Sequence, residues 1–472
     1  MFRNEEFYNA VEKLVIRCLP LIDSAIKNSL FPKNIDNYPN LEYAESGFPR
    51  ISSYPSRIDI SQFFKSPYSG KDPDINMEKM EEFLQAFTIA NKSDEIRGYY
   101  EYNTELDKDS IQNLIQILLG GAIKDFVERY YYKHGCDFHR DCFVEIYKPI
   151  ETYFYEKKLN FDISIPILFV NFEIDYFELL PNIVIRRIED EVHRARHRIV
   201  GYSPAIVDSV FMSATHELLL KNYEYNRPDH VFAIPFSQPG IYPRNHIEKF
   251  LSVLKIETDI TSGYAQFILH PFNWAADYLY DIKPMHGTSV RSYPTYFDDY
   301  FWNRKMYPVV NQDQLINIGK SFTTILQSNN NKLNLAIKRF YKSTLREEEE
   351  DMIIDLIIAL ELLLGDSGKT EMTQKLAYRI GALLGNYSPV FNDSHLVFTN
   401  VKKIYDYRSS IIHGNNKTNS KREIKLPENK SIVIVDLAKD YLREILKIVI
   451  NRPEYLDAKE IDKLILGKRK ID

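Results

Sequence analysis

Arg408 and His413, an arginine and a histidine with four residues between them, are the pair in this chain best suited to chemistry on a phosphate. Arginine is a permanent cation whose planar fork matches phosphate oxygens. Histidine is the side chain best able to move protons near neutral pH. Both lie in Tyr405-Asp406-Tyr407-Arg408-Ser409-Ser410-Ile411-Ile412-His413-Gly414, just before a glycine of the kind that ends helices. A five-residue step turns about 500° on an ideal helix, so the two side chains leave it about 140° apart. They do not share one face. The length of arginine and the placement of His413 in the last turn offset this, and a helix C-terminus also favours a protonated histidine. The competing reading has His413 merely capping the helix and Arg408 paired with a carboxylate.

Helical segments must position this pair. Leu335-Ala336-Ile337-Lys338-Arg339-Phe340 is followed by the acidic-then-apolar run Glu348-Glu349-Glu350-Asp351-Met352-Ile353-Ile354-Asp355-Leu356-Ile357-Ile358-Ala359-Leu360-Glu361-Leu362-Leu363-Leu364. Lys375-Leu376-Ala377-Tyr378-Arg379-Ile380-Gly381-Ala382-Leu383-Leu384-Gly385 comes next, and then the Arg408/His413 segment. That order of segments, over roughly residues 312–450, resembles the Apea-like branch of the HEPN superfamily. The resemblance implies a dimeric endoribonuclease that needs no metal or other cofactor. Two arginine–histidine motifs would meet across the interface. The RNA 2′-OH would attack the adjacent phosphate, with His413 as general acid or base and Arg408 stabilising the phosphoryl charge. The products would be a 2′,3′-cyclic phosphate and a 5′-OH. Ser409 would orient Arg408. The resemblance further implies a toxin or anti-phage defence effector, with a phage or antitoxin protein as a possible partner. A non-catalytic RNA-binding or dimerisation module is one alternative. The toxin half of a pair held off by a nucleotidyltransferase is another.

Glu361 interrupts an apolar run, so its carboxylate calls for a partner. Arg379, on the next helix, is the expected one, in a supporting ion pair behind the catalytic residues. Residues 316–472 carry about +5, against about −11 for the remainder, although the whole chain is at −6. The excess gathers around the motif: Lys402 and Lys403 before it, then Lys417, Lys421, Arg422, Lys425 and Lys430. Such a local field attracts a polyanion that the whole molecule would repel. RNA contact is therefore expected at Lys402, Lys403, Lys417, Lys421 and Arg422, with a solvated surface loop as the plain alternative.

Two further clusters carry less. His134, Cys136, His139 and Cys142 lie too close together for an ordinary zinc shell, and the last three fit one face of a helix. His193-Arg194-Ala195-Arg196-His197-Arg198 lacks the glutamate of a zinc-protease motif and reads as a solvated basic face, with phosphate or RNA contact as the alternative. No glycine-rich phosphate loop, Gly-x-Ser-x-Gly elbow or nicotinamide fingerprint is present.

The chain is 472 residues long, enough for two or three domains. Three cysteines, with no secretory leader and no apolar run of membrane-spanning length, lead one to expect a cytoplasmic protein without a membrane partner. The fold class expected is α+β. A mostly helical region spans 1–150, and an α+β region that could sense or regulate spans 151–311. An all-α bundle at 312–455 and a basic tail at 456–472 complete the chain. Strands are expected at Ile163–Val170 (an edge strand or two short strands, because of Pro166), Phe172–Asp175, Asn182–Ile188, Val231–Ile234 and Tyr264–Leu269. Helices are expected near 208–221, 246–255, 312–327, 333–343, 348–364, 371–385, 394–413 and 431–450.

Overall fold

The computed structural model describes residues 2–52, 54–65, 73–100, 108–199, 206–227, 229–230, 239–299, 307–366, 371–413, 422–425 and 431–467. In chain order it has α1 (Glu5–Asn28), β1 (Asn40–Tyr43), β2 (Pro49–Ser52), α2 (Glu81–Lys92), α3 (Asp94–Tyr100), α4 (Lys108–His134) and α5 (Arg140–Tyr155). Next come β3 (Lys158–Pro166), β4 (Asn171–Phe172), β5 (Tyr176–Leu180), β6 (Ile183–Arg187), α6 (Asp190–Ile199), α7 (Asp208–Met212), β7 (His216–Asn226), α8 (Arg244–Thr258), β8 (Tyr264–Pro271) and β9 (His286–Ser292). The chain continues with β10 (Val309–Val310), α9 (Gln312–Gln327), α10 (Asn331–Thr344), α11 (Glu349–Leu364), α12 (Met372–Tyr387), α13 (Ser394–Ile412), β11 (Glu423–Lys425), β12 (Ser431–Val433), α14 (Ile434–Asn451) and α15 (Ala458–Ile465). The class is α+β, with a six-stranded antiparallel sheet in the order β5-β6-β7-β3-β8-β9. Among the described residues no helix is long and apolar enough to cross a membrane.

The chain divides into two compact units, each assembled from three stretches. The first comprises 1–166, 187–241 and 266–290, and the second 167–186, 242–265 and 291–472. In the first unit, Tyr8, Phe126, Phe143 and Tyr147 bring α1, α4 and α5 together through ring contacts, among them Tyr8–Tyr147 edge to face at 5.0 Å. β3 is an interior strand rather than an edge, since Ile163 stands opposite both Leu220 of β7 and Leu269 of β8. Pro166 is tolerated because it is the last residue of the strand. The expected helix over 208–221 is a five-residue helix, α7, followed by β7, whose first five residues are all buried. The expected strand at Phe172–Asp175 shrinks to the two-residue β4, paired parallel to β10. The strand expected at Val231–Ile234 lies outside the described residues.

In the second unit, β5 and β6 form a hairpin, and α9 lies on β5 closely enough that a Cβ at Gly319 would touch Phe177 at 3.6 Å. α10 packs on α11 and α8, α12 on α13, and α14 on α11, α12 and α13. Leu360, Leu363, Leu376, Ile380, Val401, Ile404, Leu442 and Ile445 are all buried in this helical core. The helices fall where apolar periodicity and caps put them. Asn311 and Gln314 form a capping box at the start of α9, and the Asp393 side chain accepts the Leu396 N–H at the start of α13.

Candidate functional site

α13 carries the arginine–histidine pair. Val397, Val401, Ile404 and Tyr405 recur at helical spacing and bury one side of the helix. The helix ends at Ile412, and His413 is its C-cap, with its backbone N–H donating to the Ser409 carbonyl at 3.1 Å. The His413 side chain is exposed, and Ser409 is exposed beside Arg408. Arg408 is half-buried, and its Nε is buried without a hydrogen bond among the described residues. The two side chains thus leave different parts of the helix surface. Gly414, the expected helix stop, lies outside the described residues.

Behind the pair, Glu361 and Arg379 do not meet. Glu361 is half-buried on α11 and accepts the Tyr405 hydroxyl at 3.3 Å, which ties α11 to α13. Burial, with the Glu361 carboxylate adding to it, pushes the Tyr405 phenol well up, so Tyr405 stays a neutral donor. Arg379 turns to the end of α11 instead. Its Nη1 donates to the Leu364 carbonyl at 2.7 Å, one of the acceptors a helix C-terminus leaves unpaired. Its remaining donors reach Asp366 at 2.9 Å and both oxygens of Asp462 of α15 at 2.9 Å. Arg379 thus ties α12 to α15 and closes α11. Its guanidinium pKa is raised, first by the Asp462 hydrogen bond.

Asp355 is a residue sequence reasoning passed over. It sits on α11 with 2% exposure, and it receives Arg339 Nη1 at 2.6 Å and Arg346 Nε at 3.0 Å. The signal was available: like Glu361, it is a carboxylate inside an apolar run.

The basic flanks divide. Lys402 and Lys403 are exposed on α13, and the Lys402 ammonium lies 5.7 Å over the Phe398 ring. Arg422 is already engaged, gripping both carboxylate oxygens of Glu349 at 2.8 and 2.6 Å. Its pKa is raised chiefly by that hydrogen bond, and its charge is matched locally rather than left for RNA. Lys417, Lys421 and Lys430 lie outside the described residues.

The two histidine clusters differ from expectation. Cys136 and His139 occupy the turn between α4 and α5, not a helix face. Gly135 takes φ +74° there, and the Tyr130 hydroxyl pins the turn by donating to the Asp137 carbonyl and accepting the His139 N–H. Among the described residues no three His, Cys, Asp or Glu side chains converge in a way that could hold a metal ion. The stretch His193–Arg198 is not a solvated face: His193 is 1% exposed and Arg196 fully buried. The Arg196 guanidinium donates to His193 Nδ1, the Phe211 and Met212 carbonyls and Gln266 Oε1. Burial lowers its pKa to about 9 and that of His193 to about 2, so the imidazole is neutral and accepts. This cation fastens α6 to α7 and β8.

No family model, no curated protein and no solved structure matches the chain.

Proposed function

We propose that the helical part of the second unit is a metal-independent endoribonuclease of the HEPN type. Arg408 and His413 would carry the reaction on RNA. The RNA 2′-hydroxyl loses its proton to a histidine and forms a bond to phosphorus. The 5′-oxygen leaves and takes a proton from a second histidine, which yields a cyclic phosphate and a 5′-hydroxyl. Arg408 stabilises the charge on the phosphoryl oxygens. A side-chain divergence of about 140° suits one chain poorly for supplying both acid and base. The reading therefore assigns the second His413 to another copy of the chain, in a two-fold arrangement.

The observation that carries this reading is the state of the pair on α13. Arg408 is half-buried, with its Nε unbonded among the described residues, and His413 stands exposed at the helix end. Among the described residues neither is taken up by an ion pair of the kind that engages Arg379 and Arg422. Lys402 and Lys403 add a cationic approach, Glu361 and Arg379 act as supports, and Ser409 stands beside Arg408. A toxin or anti-phage role follows from the resemblance, with the region 151–311 sensing or regulating it. The Arg422–Glu349 pairing favours a second reading, a non-catalytic RNA-binding or dimerisation module.

The test is incubation of the purified full chain with total RNA, with and without EDTA, beside His413→Ala. Cleavage should survive EDTA and disappear in the variant. Equal cleavage by a folded His413→Ala protein would remove the nuclease, and no cleavage by either would favour the binding module.

A further inference from the structure

The first unit contains a cavity of about 450 Å³, remote in sequence from the arginine–histidine pair. Asp125 of α4, Tyr153 of α5, Tyr99 of α3, His286 of β9, and Asp277 and Tyr278 from the segment after β8 are among its lining residues. Its size falls within the range of small-ligand pockets, roughly 300–1,000 Å³.

The aromatic wall is fixed from behind. The Tyr99 and Tyr153 hydroxyls lie 3.3 Å apart, and the Tyr278 hydroxyl donates to the Ile146 carbonyl at 2.6 Å. Trp274 stacks on Tyr153 at 5.6 Å and on His286 at 5.5 Å. Nearby cations rest against rings of the wall without being part of the lining. Arg129 lies 4.2 Å over Tyr278, Arg227 lies 5.1 Å over Tyr99, and Lys124 pairs with Glu128 at 3.3 Å. The lining contains no lysine or arginine. His286 offers no compensating charge either, because burial pushes its pKa down against the pull of Asp277. Two carboxyl groups therefore share an aromatic cavity whose lining, among the described residues, carries no lysine or arginine.

We propose that this cavity binds a compact organic cation, a primary amine or guanidinium group carried on a flat apolar body. The cation supplies the charge that Asp125 and Asp277 lack, and the aromatic wall covers the body. Burial first, then Glu128 and Asp277, raise the Asp125 pKa to about 8, against the pull of Lys124 and the Tyr278 backbone N–H. Asp125 is thus largely protonated at neutral pH. A bound cation holds it ionised, so binding expels a proton. The complex carries fewer protons than the free protein, so affinity rises with pH up to about 8.

The test titrates tyramine and benzamidine into the full chain, without RNA, in two buffers of different ionisation enthalpy. Trp274 fluorescence serves as a second readout. At least one amine should bind and release about 0.9 proton at pH 7, the protonated fraction of a group titrating near 8. Hydroxyphenylacetate, a similar body with the opposite charge, should not bind. Asp277→Asn should weaken the amine at least about tenfold, and Asp125→Asn should abolish proton release. If either variant loses its native circular dichroism, Ala122→Leu, which narrows the lining, replaces it and should block binding. Absence of amine binding at millimolar concentration, equal binding of the anion, or release of no proton by the wild type would each overturn the site.

Discussion

The Arg339–Asp355–Arg346 triad allows an asymmetric perturbation to be worked out in advance. Asp355 is 2% exposed, whereas the side chains of Arg339 and Arg346 are 34% and 42% exposed. Removing both guanidinium groups, as Arg339→Met with Arg346→Met, leaves a carboxylate that water cannot reach. Breaking buried pairs in this way costs about 3–5 kcal/mol. A unit of some 200 residues shifts its midpoint by about 2–4 °C per kcal/mol, so the double variant should melt about 6–20 °C lower. Adding Asp355→Leu removes the stranded charge and fills its place with an apolar side chain. The two arginine sites, already partly wet, then lose only surface pairs worth about 0–1 kcal/mol each. The triple variant should therefore recover most of the loss. Calorimetric unfolding of the wild type and the double and triple variants decides the matter, with urea titration as a check on stability. A double variant within about 1 kcal/mol of wild type, or a triple variant no better than the double, would refute the reasoning.

Arg408→Lys keeps the charge but loses the planar fork, and RNA cleavage should fall severely; equal rates would make Arg408 a generic cation. Mixing an excess of His413→Ala protein with wild type under subunit exchange should lower activity as mixed dimers form. Full activity of the wild-type chains in verified mixed dimers, or a monomeric active species by light scattering, would contradict the composite site. Tyr405→Phe should destabilise the second unit by about 0.5–1.5 kcal/mol through loss of the bond to Glu361, measured by urea unfolding. Asp125 has a folded pKa of about 8 against an ordinary 3.8, so the folded protein binds the extra proton between those values. Its contribution to stability is full below about pH 4 and is lost as pH rises toward 8. Thermal unfolding from pH 5 to 8 should show this slope in wild type and a shallower one in Asp125→Asn.

The helical part of the chain was legible because its signals are local. α9 matches its expected limits, and α13 ends one residue before the expected His413. Apolar spacing and side-chain caps such as Asp393 decide such helices within a few turns. β7 was not legible. Glu217-Leu218-Leu219-Leu220 contains good helix formers, and the strand exists because β3 offers a ladder more than fifty residues away in the chain. Pairing partners failed for the same reason. Arg379 chose Asp462, eighty-three positions away, over Glu361, and Arg196 left the surface because Phe211, Met212 and Gln266 supply acceptors that nothing local announces. Residue type at the arginine–histidine pair was readable. Which cations around it were already engaged was not, and Arg422 is the case in point.

Each unit is built from three separate stretches of chain, and this bears on how the protein can be cut and inherited. A fragment beginning near residue 312 would keep α9 to α15 but omit α8 and β5. It would lose Phe250 from its edge contact with Phe322, Glu257 from its bond with Ser321, and the strand on which Gly319 rests. An expressed C-terminal third should therefore expose apolar helix faces and aggregate instead of working as a detached nuclease. Exchange of gene segments faces the same obstacle. No single cut along the sequence separates the two units, so an exchange at one point would split at least one of them.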